Sequence, residues 1–338
     1  MLLSGLEKSY KARRFEMNKQ RDWTISLIRM ISTVLIVTCH FMQYLDLELA
    51  WWFNVGVQIF LCISGFLYGN KSIDTIGFLK NSFRKILVSF YVVFLPFAAV
   101  LLLCNKIDAG ALFSGALMTK TVPGGEHLWF IPTILCCYAL TPFLSLYFDH
   151  KSRIHIAVKY ALALLGTFYI FHHFVPYFNC AWISCYITGF FLAKVDASGT
   201  YKIAGACLGI LALIANAIQI RCDYFTYTTF YKYSLFCDYA HFLLGVGLFM
   251  LLRFFFQNAK ENKLLRFSDK YSYEVYLVHQ FFILGPLSLM RLTPYTAINI
   301  LLISMLILPC AVIAKLVSTK AHQAIDHLTS KLLNKSSF

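Results

Sequence analysis

The sequence predicts an all-α, polytopic integral membrane protein with about ten transmembrane helices and both termini in the cytoplasm. Three observations predict it. Hydrophobic residues make up 59% of the 338 and charged residues 14%, with mean hydropathy +0.65, whereas soluble domains run near a quarter charged. Apolar runs of about 20 residues, each long enough to cross a bilayer, recur along nearly the whole chain. The remaining charges gather in alternate gaps between those runs. A spanning β-barrel would show short segments of alternating polarity, and the sequence has none.

Residues 1–21 mix Leu2, Leu3, Leu6, Tyr10 and Phe15 with six basic residues. They read as an amphipathic segment on the cytoplasmic membrane face rather than as a signal peptide. Spans are expected at 22–45, 54–70, 84–104, 127–148, 154–174, 179–195, 201–220, 234–256, 273–292 and 295–317. With the first end inside, cytoplasmic segments collect 24 of the 30 Lys and Arg, while the opposite loops hold Lys106, Lys120, Arg221, Lys232 and Arg291. That asymmetry follows the positive-inside rule. No repeat or linker divides the chain, so 22–317 reads as one transmembrane domain and 318–338 as a basic cytoplasmic tail.

The net charge of +14, placed in this way, suits membrane lipids rather than nucleic acid. Neither a zinc-type Cys/His spacing nor a Gly-rich phosphate loop is present, so no metal is expected. Most of the eleven cysteines lie inside apolar runs and serve as small apolar side chains. Cys180, Cys185, Cys222 and Cys237 lie nearer the outer ends, where a disulfide is open to them but nothing requires one.

Span 1 contains "RMISTVLIVTCH", residues 29–40. Eleven residues turn a helix by about 1,100°, so Arg29 and His40 share a face, about 16 Å apart along the axis. An intramembrane guanidinium costs at least ~2.5–3.5 kcal/mol and is not kept without compensation. Snorkelling to the inner headgroups is the ordinary alternative for Arg29. His40 on the same face favours a polar cavity inside the bundle.

In span 2, "NVGVQIFLCISGFLYG" places Asn54 and Gln58 at i and i+4, at about the depth of His40. Ser64 and Gly65 lie deeper and permit close helix approach. Span 9 begins "YSYEVYLVHQ"; Tyr276 and His279 share a face there, with His279 expected at the depth of Arg29. Span 4 opens "GGEHLWFIP", which sets Glu126, His127 and Trp129 at the outer boundary. They read equally well as an interfacial anchor or as the rim of a sugar site.

These stretches resemble the membrane acyltransferase-3 family, polytopic enzymes that modify cell-envelope glycans and other surface molecules. The resemblance covers essentially the whole chain. It is carried by Arg29-x10-His40, "GVQIFLCISGFL", "HLWFIP" at 127–132 and "SYEVYLVHQ". It implies transfer of an acyl group, commonly acetyl, from cytoplasmic acyl-CoA to a hydroxyl. It also implies that Arg29 and His40 are essential and that His279 belongs to the site. The chain departs from the family pattern at Gln58, where many members carry Asp, and at Glu274, where the residue is more often small.

Transfer from a thioester to an alcohol needs a base for the hydroxyl proton and a group to steady the oxyanion. Histidine, with an ordinary pKa near 6.5, suits the first role, and His40 is the candidate. Arg29 suits the donor's phosphate or carbonyl oxygens, for which a planar fork is well shaped. His279 and Tyr276 would complete the donor side, with Arg84 and Lys85 (and Lys80) on the coenzyme phosphates unless these are ordinary positive-inside residues. Asn54, Gln58, Glu126, His127 and Trp129 would face the acceptor, a cell-surface glycan or lipid-linked oligosaccharide. The expected setting is the inner or plasma membrane, with acetyl-CoA as donor substrate and no bound cofactor. The rival classes are a transporter or flippase of a lipid-linked sugar or acyl group, and a sensor or scaffold without turnover.

Overall fold

The computed structural model describes residues 22–149, 152–195, 198–221 and 227–335, all helix and connecting loop with no strand among them. The segment expected at 1–21 and Cys222 lie outside these residues. Cys180, Cys185 and Cys237 are free thiols.

Helix α1 (Trp23–Tyr44) starts where Asp22 accepts the backbone N–H groups of Thr24 and Ile25 at 3.0 and 3.3 Å, satisfying donors that a helix start leaves open. A short α2 (Ala50–Phe53) leads into α3 (Gly56–Gly69). Helix α4 (Thr75–Leu103) begins at the Asp74 cap, well before the apolar run. Its first turns are therefore polar and carry Lys80, Arg84 and Lys85. Then come α5 (Ala109–Ala116), a 3-10 turn at Glu126–Trp129, α6 (Phe130–Tyr147), α7 (Arg153–His173), α8 (Cys180–Val195), α9 (Ser198–Arg221), α10 (Tyr227–Phe255), α11 (Lys263–Ile283) and α12 (Thr296–Lys335).

Eight segments among the described residues are long and apolar enough to cross a membrane: α1, α2 with α3, α4, the 3-10 turn with α6, α7, α9, α10 and α12. The other two positions expected as spans are α8, only 16 residues long, and α11, which is not apolar enough. Helix α11 is polar because its first turns carry Lys263, Arg266, Asp269 and Lys270 and its buried face carries Ser272, Glu274, His279 and Gln280. Its position corrects the expected span at 273–292. It starts ten residues earlier and stops at Ile283, because Leu284 is extended and Gly285, at φ 78°, precedes Pro286.

The core is a bundle in which α3 lies closest to α8, α9 pairs with α10, and α11 packs against α1, α4 and α12. Gly65 and Gly189 bring α3 and α8 together at backbone distance: a Cβ on Gly65 would fall 1.9 Å from the Tyr186 carbonyl oxygen. Small residues permit such contacts where lipid supplies no hydrophobic drive for association. Helices α7, α9 and α12 present large apolar side chains outward, among them Leu165, Leu211, Leu301 and Met305, as a lipid-facing surface requires.

Candidate active site

Two contacts show that α1 and α11 run side by side in the same direction. Near one end Arg29 pairs with Asp269; eleven residues on in α1 and ten in α11, the ring of His40 lies 5.0 Å from that of His279. The structure thus places His279 at the level of His40. The expected match to the depth of Arg29 is overturned, because α11 starts earlier than hydropathy suggested.

His127 joins the same cluster, with its ring 5.0 Å from His279 and 6.3 Å from His40. It is buried, at 4% exposure, and does not stand on an outer rim. The 3-10 turn aims it inward. Two glycine turns set that turn's position: Gly124 (φ 79°) before His127 and Gly285 (φ 78°) after His279. Each occupies the left-handed region that costs other residues strain. Their backbones touch so closely that a Cβ on Gly285 would fall 2.4 Å from the Gly124 Cα.

Hydrogen bonds fix the tautomers of the three rings. The Nδ1–H of His40 donates to Gln43 Oε1 at 2.6 Å, and that of His279 to the Tyr276 carbonyl at 2.7 Å. The Nε2–H of His127 donates to the Leu277 carbonyl at 3.2 Å. Since those oxygens only accept, each ring keeps its second nitrogen as a lone-pair acceptor. His279 Nε2 and His127 Nδ1 are buried with no hydrogen-bond partner among the described residues. Three imidazoles with open acceptors in one place are equipped to receive hydroxyl protons. No group of three His, Cys, Asp or Glu among the described residues is placed to hold a metal ion.

Tyr276 links this cluster to a cavity. Its ring packs 5.3 Å from His127 and 5.8 Å from His279, and its hydroxyl donates to the His127 carbonyl. It also lines a cavity of about 330 Å³ that includes Arg29, Lys85, Asp269, Lys270, Glu274 and Lys315. Four cations face two carboxylates there, so the cavity favours a polyanion. It lies toward the end of the bundle that carries the basic loops.

The other expected residues are dispersed. Arg84 pairs with Asp326 of α12 on the exterior and does not line the cavity, whereas Lys85 does. Gln58 is buried against Gly245, its amide nitrogen within 3.0 Å of the Asn54 carbonyl and 3.3 Å of the Val55 carbonyl. Gln58 is thus tied to the start of its own helix, not to the histidines, and Asn54 enters this contact through its backbone carbonyl. Glu126 turns back to accept the Gly124 N–H at 3.0 Å and the Gln280 amide at 2.7 Å, while Gln280 accepts the His127 N–H at 3.2 Å. Trp129 points away from His127 and stacks on Trp182 at 3.6 Å. With Thr119, Lys120 and Tyr177 the two indoles line a second pocket of about 160 Å³ at the opposite end from the basic loops. Glu126, His127 and Trp129 therefore do not form one rim; they face three ways.

Sequence reasoning missed Gln43, Asp269, Lys315 and Trp182. Two of these left a signal: Gln43 lies at i+3 from His40, and Asp269-x9-His279 parallels Arg29-x10-His40 on the neighbouring helix. No curated protein and no solved structure matched the chain. The family model described as an acyltransferase domain matches residues 22–318, and the chain belongs to the membrane acyltransferase-3 family.

Proposed function

We propose that this membrane acyltransferase takes an acetyl group from cytoplasmic acetyl-CoA. The acceptor is a hydroxyl of a cell-surface polysaccharide or of its lipid-linked precursor. The observation that carries this reading is the histidine cluster, joined through Tyr276 to a cation-lined cavity at the basic end. Under the positive-inside rule that end is cytoplasmic. Arg29, Lys85 and Lys270 suit the donor's phosphates by charge-assisted hydrogen bonds. Tyr276 and His279 meet the thioester where the cavity ends.

His40, its Nδ1–H held by Gln43, offers Nε2 to the acceptor's hydroxyl proton. The hydroxyl oxygen bonds to the acyl carbon, the C–S bond breaks, and the proton passes from the imidazole to the departing thiolate. The pocket of Trp129 and Trp182 offers the acceptor aromatic faces and threonine hydroxyls.

The test measures ester-linked acetyl on envelope glycans in three strains: a deletion, the deletion carrying this chain, and the deletion carrying its His40→Ala form at equal membrane abundance. Acetyl returning only with the intact chain is the expected result. Full return with His40→Ala removes His40 as the base. No change in any acyl group with the intact chain overturns the reading and favours transport.

A further inference from the structure

Glu274 is the one carboxylate of the cavity that neither a helix cap nor Arg29 accounts for. It is fully buried, at 0% exposure, in the middle of α11. Both of its contacts fall on one oxygen: Lys315 Nζ lies 3.0 Å from Oε1, and the Ser89 hydroxyl donates to the same atom at 3.4 Å. The other oxygen, Oε2, is buried with no hydrogen-bond partner among the described residues. A buried carboxylate oxygen left unsatisfied is costly, and intramembrane ionisable residues mark substrate paths. The cavity that Glu274 lines is cationic overall, so this acceptor belongs to a stretch of ligand that carries hydrogen-bond donors and no negative charge.

The position along α11 says which stretch. Asp269, Glu274 and His279 follow one another at five-residue intervals, about 7.5 Å each by helical rise, or about 15 Å from the Arg29 level to the histidines. The arm of an acyl-CoA between its phosphate oxygen and its sulfur has about twelve bonds, as many as four peptide residues, and extends to about 14 Å. With phosphates at Arg29, Lys85 and Lys270 and the thioester at the histidines, the arm passes the level of Glu274 near its midpoint. Five residues also turn the helix by about 140° net, and it is the shared cavity lining that brings Glu274 into the same space as Arg29 and Tyr276. The arm's midsection carries two secondary amides.

We infer that Glu274 is a donor-positioning residue whose Oε2 accepts an amide N–H of the pantetheine arm, with Lys315 holding the carboxylate in place. The inference rests on the acyl-CoA reading above and deepens it. It assigns a recognition role to a side chain on the path, distinct from the histidines that handle the acyl group.

The test uses purified full-length protein in lipid bilayers and three donors: acetyl-CoA and two analogues in which one or the other arm amide is replaced by an ester, which removes a single N–H. Wild-type protein should prefer acetyl-CoA over one analogue by about tenfold or more in kcat/KM, the size of a hydrogen bond to a charged group. Glu274→Gln should shrink that preference several-fold. The paired change Glu274→Met with Lys315→Met, which leaves no unpaired charge, should bring the ratio of acetyl-CoA to that analogue close to one. A carboxylate that merely neutralises Lys315 would leave the donor ratio unchanged in every variant, and that result overturns the inference while leaving the acyl-CoA reading intact. Absence of any turnover of acetyl-CoA by the wild-type protein overturns both.

Discussion

Replacing Gly65 with alanine isolates the contact that holds α3 to α8. An added Cβ lies 1.9 Å from the Tyr186 carbonyl oxygen, where ordinary contact begins at 3.4 Å, so the helices must part by about 1.5 Å at their crossing. The obstacle is backbone and has no rotamer by which to escape. The cost therefore lies at the upper end of the ~1–3 kcal/mol range for overpacking. Alanine's better helix propensity returns up to ~1 kcal/mol, leaving a net loss of about 2 kcal/mol. Gly166 of α7 supplies the internal control. A Cβ there meets nothing within 4 Å, so Gly166→Ala keeps only the propensity gain of up to ~1 kcal/mol. The two variants should differ by about 3 kcal/mol, on the order of a hundredfold in the folding equilibrium. Reversible unfolding in mixed micelles, followed by the folded fraction against denaturing detergent, reads this difference directly. Gly65→Ala as stable as Gly166→Ala would refute the backbone-contact argument.

Gln43→Ala removes the acceptor of the His40 Nδ1–H, a bond worth about 1 kcal/mol net. The turnover number should fall about fivefold with the donor KM unchanged in steady-state assays, and a change confined to KM counts against it. Lys85→Ala removes one of the four cavity cations. The donor KM should rise and become less sensitive to ionic strength, because partly screened attraction to phosphates is lost; an unchanged salt slope contradicts this placement. Trp182→Ala takes away half of the indole stack in the second pocket. The acceptor KM should rise several-fold in assays at saturating donor, with the donor KM unmoved.

The lipid-facing helices were the easiest to read from sequence. In α4, α7, α9 and α12 the apolar run is itself what the membrane requires, and hydropathy finds it wherever the start is capped. Helix α11 was misplaced for the opposite reason. Its first turns carry Lys263, Arg266, Asp269 and Lys270 and its buried face carries Ser272, Glu274, His279 and Gln280, so averaged hydropathy slid the span toward the apolar residues beyond it. The Gly285–Pro286 break was present in the sequence and outranks hydropathy as a stop signal.

The Arg29-x10-His40 face was legible because both residues sit on one helix of known pitch. Which partners meet that face depends on how neighbouring helices are aligned, and a one-dimensional depth estimate does not contain that. His127 shows the limit. Its position at the start of a span suggests the outer boundary, as an anchor or as a rim, yet the turn formed by Gly124 and Gly125 points it into the bundle. Trp129, two residues on, points elsewhere.

The separation of the cationic cavity from the histidines by Tyr276 has an electrical consequence. Moving one elementary charge through 100 mV takes about 2.3 kcal/mol, and a coenzyme phosphate group carries several such charges. On the proposed route the phosphates stay with Arg29, Lys85 and Lys270, and only the uncharged arm and its acyl group reach beyond Tyr276. The transfer is then electroneutral. Its rate should be indifferent to the membrane voltage, and acyl transfer should continue in a cell whose proton-motive force has collapsed for as long as thioester remains.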